Sequence, residues 1–248
     1  MKRCALLLMA GWLLLAGPAA HADEILKESI FVRGQERTYY LFVPGVIDPA
    51  APAPLLVLFH GSGRNGRSLV KKWQDLADQA GIILVGPDSL DLKSWKKAED
   101  GPDFIHQLVE ALKAEYPVDA RRVYLFGHSA GAYMALCLAL LESEYFAAAA
   151  MHAGNLRGED KIYIARARRK MPIAMFVGTN DEFFPLPLVR GTRDALNAQG
   201  FKVELTEIEG HTHWYYDRAP EINRSAWEFF KKHALPGAPK YELPRFGK

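Results

Sequence analysis

The chain has 248 residues, 49% of them hydrophobic and 24% charged, with 31 Lys and Arg against 29 Asp and Glu. That length suits one α/β domain, which buries about 70% of its unfolded surface and needs neither metal nor disulfide to stay folded. The near balance of charge excludes the basic surface that a nucleic-acid partner requires.

Lys2 and Arg3 open the chain, Ala5 to Leu15 is apolar except for Gly11, and Ala20-His21-Ala22 follows as a small-x-small cleavage pattern. Residues 1–22 therefore read as a signal peptide cut after Ala22, with residues 23–248 as one catalytic domain. The apolar run is too short to span a bilayer comfortably, so a secreted or periplasmic protein with no stable membrane insertion is expected. Cleavage removes Lys2 and Arg3 and leaves 29 basic against 29 acidic residues. It also removes Cys4, leaving Cys137 without an intrachain partner and best placed in the core.

Short apolar runs then alternate with helical periods. Thr38–Val43, Leu55–Phe59, Ile82–Gly86, Val123–Phe126, Ala148–Met151, Ile173–Val177 and Lys202–Ile208 read as strands. Leu69, Trp73, Leu76, Ala77 and Ala80 mark one helix face; Phe104, Ile105, Leu108, Val109 and Leu112 mark another. Tyr133, Leu136, Cys137, Leu140 and Leu141 mark a third, largely buried helix. Arg166, Arg168, Arg169 and Lys170 read as a solvated helix face. A last helix is expected over about 220–234, with Pro220 in its first turn. The alternation predicts an α/β fold with a mostly parallel sheet and helices on both faces. About twenty residues separate the strands at Met151 and Ile173, too few for a substantial lid domain, so an open site is expected.

The seam at Gly127-His128-Ser129-Ala130-Gly131 fits the G-x-S-x-G elbow, between a strand and a helix at the edge where such sheets bind ligands. A serine hydroxyl needs a base, and the base needs an acid to fix its tautomer. Asp181 follows the buried strand ending at Val177 and emerges on that edge, whereas Asp88 and Asp100 precede the serine. His211 and His213, after the strand ending at Ile208, are both candidates for the base. A His-x-His pair also ligates zinc, but it would need a third ligand and would leave the elbow without a role, so no metal or other cofactor is expected. The Ala130 N–H and the Ser62 N–H, in Phe59-His60-Gly61-Ser62-Gly63, are the expected oxyanion donors, with His60 bracing that loop. Trp95 and Trp214, with Tyr215 and Phe183-Phe184, fall in loops at the same edge and would either bind an acyl or aromatic group or pack beneath the loops.

These segments together resemble the α/β-hydrolase superfamily, and more closely the secreted esterases of the polyhydroxybutyrate depolymerase and feruloyl esterase group. The resemblance runs from Arg37-Thr38-Tyr39-Tyr40-Leu41-Phe42-Val43-Pro44 to the last helix. It includes Pro54 to Gly61, Gly86-Pro87-Asp88-Ser89 with Trp95 following, and Asp119-Ala120-Arg121-Arg122-Val123-Tyr124. Gly210-His211-Thr212-His213-Trp214-Tyr215-Tyr216 aligns without a gap on a Gly-Tyr-Asp-His-Ser-Tyr-Tyr-like motif of such esterases, which implies His213 as the base. Where that family carries paired aspartates, this chain has Glu99-Asp100-Gly101-Pro102-Asp103. The resemblance implies a serine esterase acting on a small-molecule or polymer-end ester. A small peptidase and a non-catalytic binding protein on the same scaffold are the alternatives.

Overall fold

Eight strands form one sheet in the computed structural model, which describes residues 24–45, 47, 48 and 50–242. The expected signal peptide lies outside the described residues. The strands are β1 (Leu26–Val32), β2 (Gln35–Phe42), β3 (Ala53–Phe59), β4 (Ile83–Pro87), β5 (Val118–His128), β6 (Ala148–His152), β7 (Ile173–Gly178) and β8 (Val203–Ile208). Their order is β1-β2-β4-β3-β5-β6-β7-β8. The pairs β1/β2 and β2/β4 are antiparallel, and the others are parallel. β3, β4, β6 and β7 are buried along their whole length, as strands covered on both faces must be.

Helices α1 (Gly66–Ala80) and α7 (Tyr215–Phe230) cover one face. Helices α3 (Pro102–Glu115), α4 (Ala130–Leu141), α5 (Ile162–Arg166) and α6 (Leu186–Asn197) cover the other, and the short α2 (Lys97–Asp100) precedes α3. Only a 3-10 turn at Gly158–Lys161 and α5 lie between β6 and β7, so among the described residues no lid domain covers the sheet edge. Among the described residues no helix is long and apolar enough to cross a membrane.

Three elements differ from the sequence expectations. β1 was not expected; it pairs with β2 through a hairpin whose turn, Arg33-Gly34, has φ of 53° and 77°. Its charged, mostly exposed residues hide the alternation that marks a half-buried strand. The last helix begins at Tyr215, and Pro220 lies inside it rather than in its first turn, with a kink at Arg218 (φ −121°). Of the expected helix face only Arg166 lies in α5; Arg168, Arg169 and Lys170 follow it, and the Arg169 guanidinium donates to the carbonyls of Ser143 (2.7 Å), Phe146 (2.5 Å) and Ala147 (3.0 Å), pinning the α4–β6 loop.

A cleft of about 360 Å3, lined in part by Glu142, Tyr163, Arg166 and Arg168, opens at the C-terminal end of α4, the far end from Ser129. Glu142 is buried and its Oε1 has no hydrogen-bond partner. Burial, with the charge of Glu242 added, pushes its carboxyl up to about 8. The folded state thus keeps a proton that the unfolded chain releases, and stability is lost as pH rises from about 4.5 to about 8. Glu142→Gln should remove this loss. Its gain over the parent, read from urea midpoints, should grow across that window to about 3–5 kcal/mol above pH 8.

Candidate active site

The C-terminal ends of the parallel strands gather the predicted residues along one rim. β5 ends at His128 and α4 begins at Ala130, so Ser129 is the whole connection, at φ 57° and ψ −120°. A non-glycine residue there costs about 1–3 kcal/mol unless its surroundings hold it. Ser129 N–H donates to His152 O at 3.0 Å, and Tyr133 N–H donates to Ser129 O at 3.2 Å. The flanking glycines are sterically required: a Cβ on Gly127 would lie 2.2 Å from Gly131 O, and one on Gly131 would lie 2.0 Å from Phe59 O.

His213 Nε2 stands 2.9 Å from Ser129 Oγ, and His213 Nδ1 lies 3.0 and 3.2 Å from the two Asp181 oxygens. The Asp181–His213 bond fixes Nδ1 as donor and leaves Nε2 free to accept from the serine hydroxyl. Burial alone would raise the Asp181 carboxyl. The bond to His213 and the amides of Phe184 and Phe183, each at 2.9 Å, outweigh it and hold Asp181 below its usual range. The His211 ring meets His152 instead, with its Nε2 3.1 Å from His152 Nε2. The two imidazoles of the His-x-His pair therefore serve different partners.

The 60–62 turn lies against the elbow, where a Cβ on Gly61 would be 3.4 Å from Ser129 Cβ. In that turn Gly63 N–H donates to Leu92 O and Arg64 N–H to Gly61 O. Neither bond uses the Ser62 amide, and Ala130, first residue of α4, has no intrahelical acceptor for its own. His60 is buried; its Nδ1 donates to Gly61 O at 2.9 Å and its Nε2 accepts from Ser89 N–H at 3.3 Å.

Trp95 is not on the rim. It is buried, its indole N–H donates to His60 O at 2.9 Å, and its ring meets Phe59 and His60, so it backs the 60–62 turn. Tyr215 is fully buried. Trp214 and Phe183 do stand at the rim, 53% and 69% exposed, with ring centres 6.2 and 4.8 Å from that of His213. Two further residues, His128 and His152, line the site from behind, and no local pattern in the sequence distinguishes them.

The loop carrying Trp95 is anchored by Asp100, which is fully buried. Its carboxylate accepts from Arg37 (2.6 Å), from Leu90 N–H (2.9 Å) and from Lys96 N–H (2.8 Å). Asp103 of the same acidic segment pairs instead with Arg33.

A mostly parallel sheet, a strained serine between β5 and α4, and a histidine and aspartate after later strands define the α/β-hydrolase fold. The sequence matches the dienelactone hydrolase family over residues 88–233, more than half of the chain, and the protein belongs to that family. It is 27% identical over 164 residues to the bifunctional acetylxylan esterase/xylanase XynS20E of Neocallimastix patriciarum, covering 64% of this chain and 23% of that one. It is 30% identical over 128 residues to feruloyl esterase B of Neurospora crassa, covering 46% of this chain and 43% of that one. The chain thus spans less than half the length of these two relatives. Among solved structures, Thermogutta terrifontis esterase 2, phosphonylated by cyclosarin, superposes with a TM-score of 0.69 at 19% identity, covering 85% of this chain and 94% of that one. That likeness is one of fold.

Asp100→Ala would leave the Arg37 guanidinium, only 3% exposed, without its carboxylate. Breaking such a buried pair costs about 3–5 kcal/mol, and a urea titration of the variant should read a loss of that size.

Proposed function

We propose that the protein is a serine esterase, a hydrolase of carboxylic esters that works through an acyl-enzyme. The observation that carries this is the unbroken chain Ser129–His213–Asp181, with 2.9 and 3.0 Å contacts at the two ends of one imidazole. Ser129 Oγ attacks the ester carbonyl as His213 Nε2 takes its proton, and Asp181 orients the imidazole and stabilises its cation. The Ala130 and Ser62 amides receive the charge on the carbonyl oxygen. Removing one such donor from a hydrolase typically costs about 3–4 kcal/mol of barrier. His213 returns the proton to the departing alcohol, and water, activated by the same imidazole, then releases the acid.

The short connection between β6 and β7, with no lid domain among the described residues, and the exposed Trp214 and Phe183 support substrates that present their ester from a larger body. Short-chain acyl, hydroxyalkanoate, acetyl and feruloyl esters fit this description, as does the end of a polymer chain. Trp214 would line the acyl or alcohol side, while Trp95 would act only through the turn it supports. Residues 1–22 would direct the protein to the periplasm or the medium, with cleavage after Ala22.

Ser129→Ala should lower turnover of p-nitrophenyl acetate by several decades. His213→Ala should do the same, and His211→Ala should cost far less. Turnover unchanged in Ser129→Ala, or lost in His211→Ala but kept in His213→Ala, would contradict the assignment.

A further inference from the structure

His211, not needed as the base, ends a chain of three buried imidazoles. His128 closes β5, His152 closes β6 as its register partner, and His211 sits in the turn after β8. His128 Nδ1 meets His152 Nδ1 at 3.1 Å, and His152 Nε2 meets His211 Nε2 at 3.1 Å. His152 is fully buried, with His128 and His211 nearly so. A hydrogen bond at each nitrogen–nitrogen contact takes one proton, so a neutral His152 bonded on both sides would donate through one nitrogen and accept through the other.

The backbone repeats the connection. His152 O accepts the Ser129 N–H at 3.0 Å, and His211 O accepts the Asn180 N–H at 2.9 Å, one residue before Asp181. Ala153 has a φ of 56°, a second strained non-glycine residue on this edge, and its N–H donates to Phe176 O at 2.8 Å. The turn that delivers the His152 carbonyl to the elbow is thus held under strain. His128 directly precedes Ser129, and His211 lies two residues before His213. His152 therefore stands between the loop of the nucleophile and the loop of the base.

We propose that His152 is a positioning residue for ester hydrolysis: by bridging His128 and His211 it keeps the elbow and the histidine turn in register, so that His213 stays in reach of Ser129 as the proton moves. This rests on the esterase reading above. Tyr215 packs against the His128 and His152 rings, with centres 5.4 and 5.8 Å away. The charged or titratable groups facing the chain are His213 and Asp181 from the site, and Arg218, Asp217 and Glu221 from α7 beside His211. Burial lowers all three imidazoles, His128 to about 3, so the chain sets no fixed cation beside His213 when that ring becomes charged. A displacement of about 1 Å at such a contact costs on the order of 100-fold in rate.

The test uses His152→Leu, His211→Leu and the double variant. The values of kcat and KM for p-nitrophenyl acetate are expressed per active site titrated with a fluorophosphonate. Each single variant should lose about 30- to 100-fold in kcat with KM within about threefold, and the double should lose little more than one single. A kcat within threefold of the parent in either single variant, or losses that multiply in the double, would overturn the proposal. If His152→Leu does not fold, His152→Asn, which keeps one short amide toward His128, and His211→Leu are judged by the same ratio. A parent without turnover would count against the esterase reading alone. In that protein, 15N imidazole shifts at pH 7 still decide: both His152 nitrogens hydrogen-bonded in a neutral ring supports the bridge, and a free or protonated His152 overturns it.

Discussion

A single strained residue sets the geometry of the rim. Ser129 takes a backbone conformation that most side chains avoid, and the sheet is built to hold it there. Gly127 and Gly131 let strand and helix approach so closely that any side chain at either place would collide with backbone. The cost of the turn is offset by the buried residues on either side of it, Val123–His128 of β5 and Gly131–Leu140 of α4, whose packing a relaxed turn would disrupt. The consequence is chemical: the hydroxyl stands at the rim, in reach of an imidazole from a loop 84 residues further along the chain.

Around that residue, charge is divided between layers. Asp181 is kept ionised by His213 and two amides despite its burial. Behind it, three imidazoles are kept neutral by their burial. A carboxylate beside the base and uncharged rings behind it favour one proton position, the one a nucleophilic serine requires. The turn expected to receive the carbonyl oxygen has its own support in His60 and Trp95, and the Trp95 loop is tied to β2 through Arg37 and Asp100. The acidic segment Glu99–Asp103 thus carries an internal anchor in Asp100.

Much of this was legible in the residues because it depends on local signals. The central strands β3, β4, β6 and β7 are nearly continuous apolar runs, and the elbow is a short motif with a steric reason for each glycine. Asp181 and the His211/His213 pair each follow a strand, which fixes the edge they occupy. The choice between the two histidines came from a resemblance, because two residues of spacing cannot tell which ring turns toward the serine. Contacts between strand ends were hidden. Trp95 reads like any loop aromatic until His60 O is seen to take its N–H, and His128 and His152 become partners only through the β5/β6 register. The charged hairpin strand β1 and the kinked start of α7 were missed because their local patterns favour other conformations.

The most direct test of the account is to locate the nucleophile by covalent capture. The folded protein is treated with a fluorophosphonate, and the adduct is placed by peptide mass mapping. The account predicts one adduct per chain, on Ser129 in the Gly127–Gly131 segment. A folded protein that takes up no label, or carries it on another residue, would contradict it.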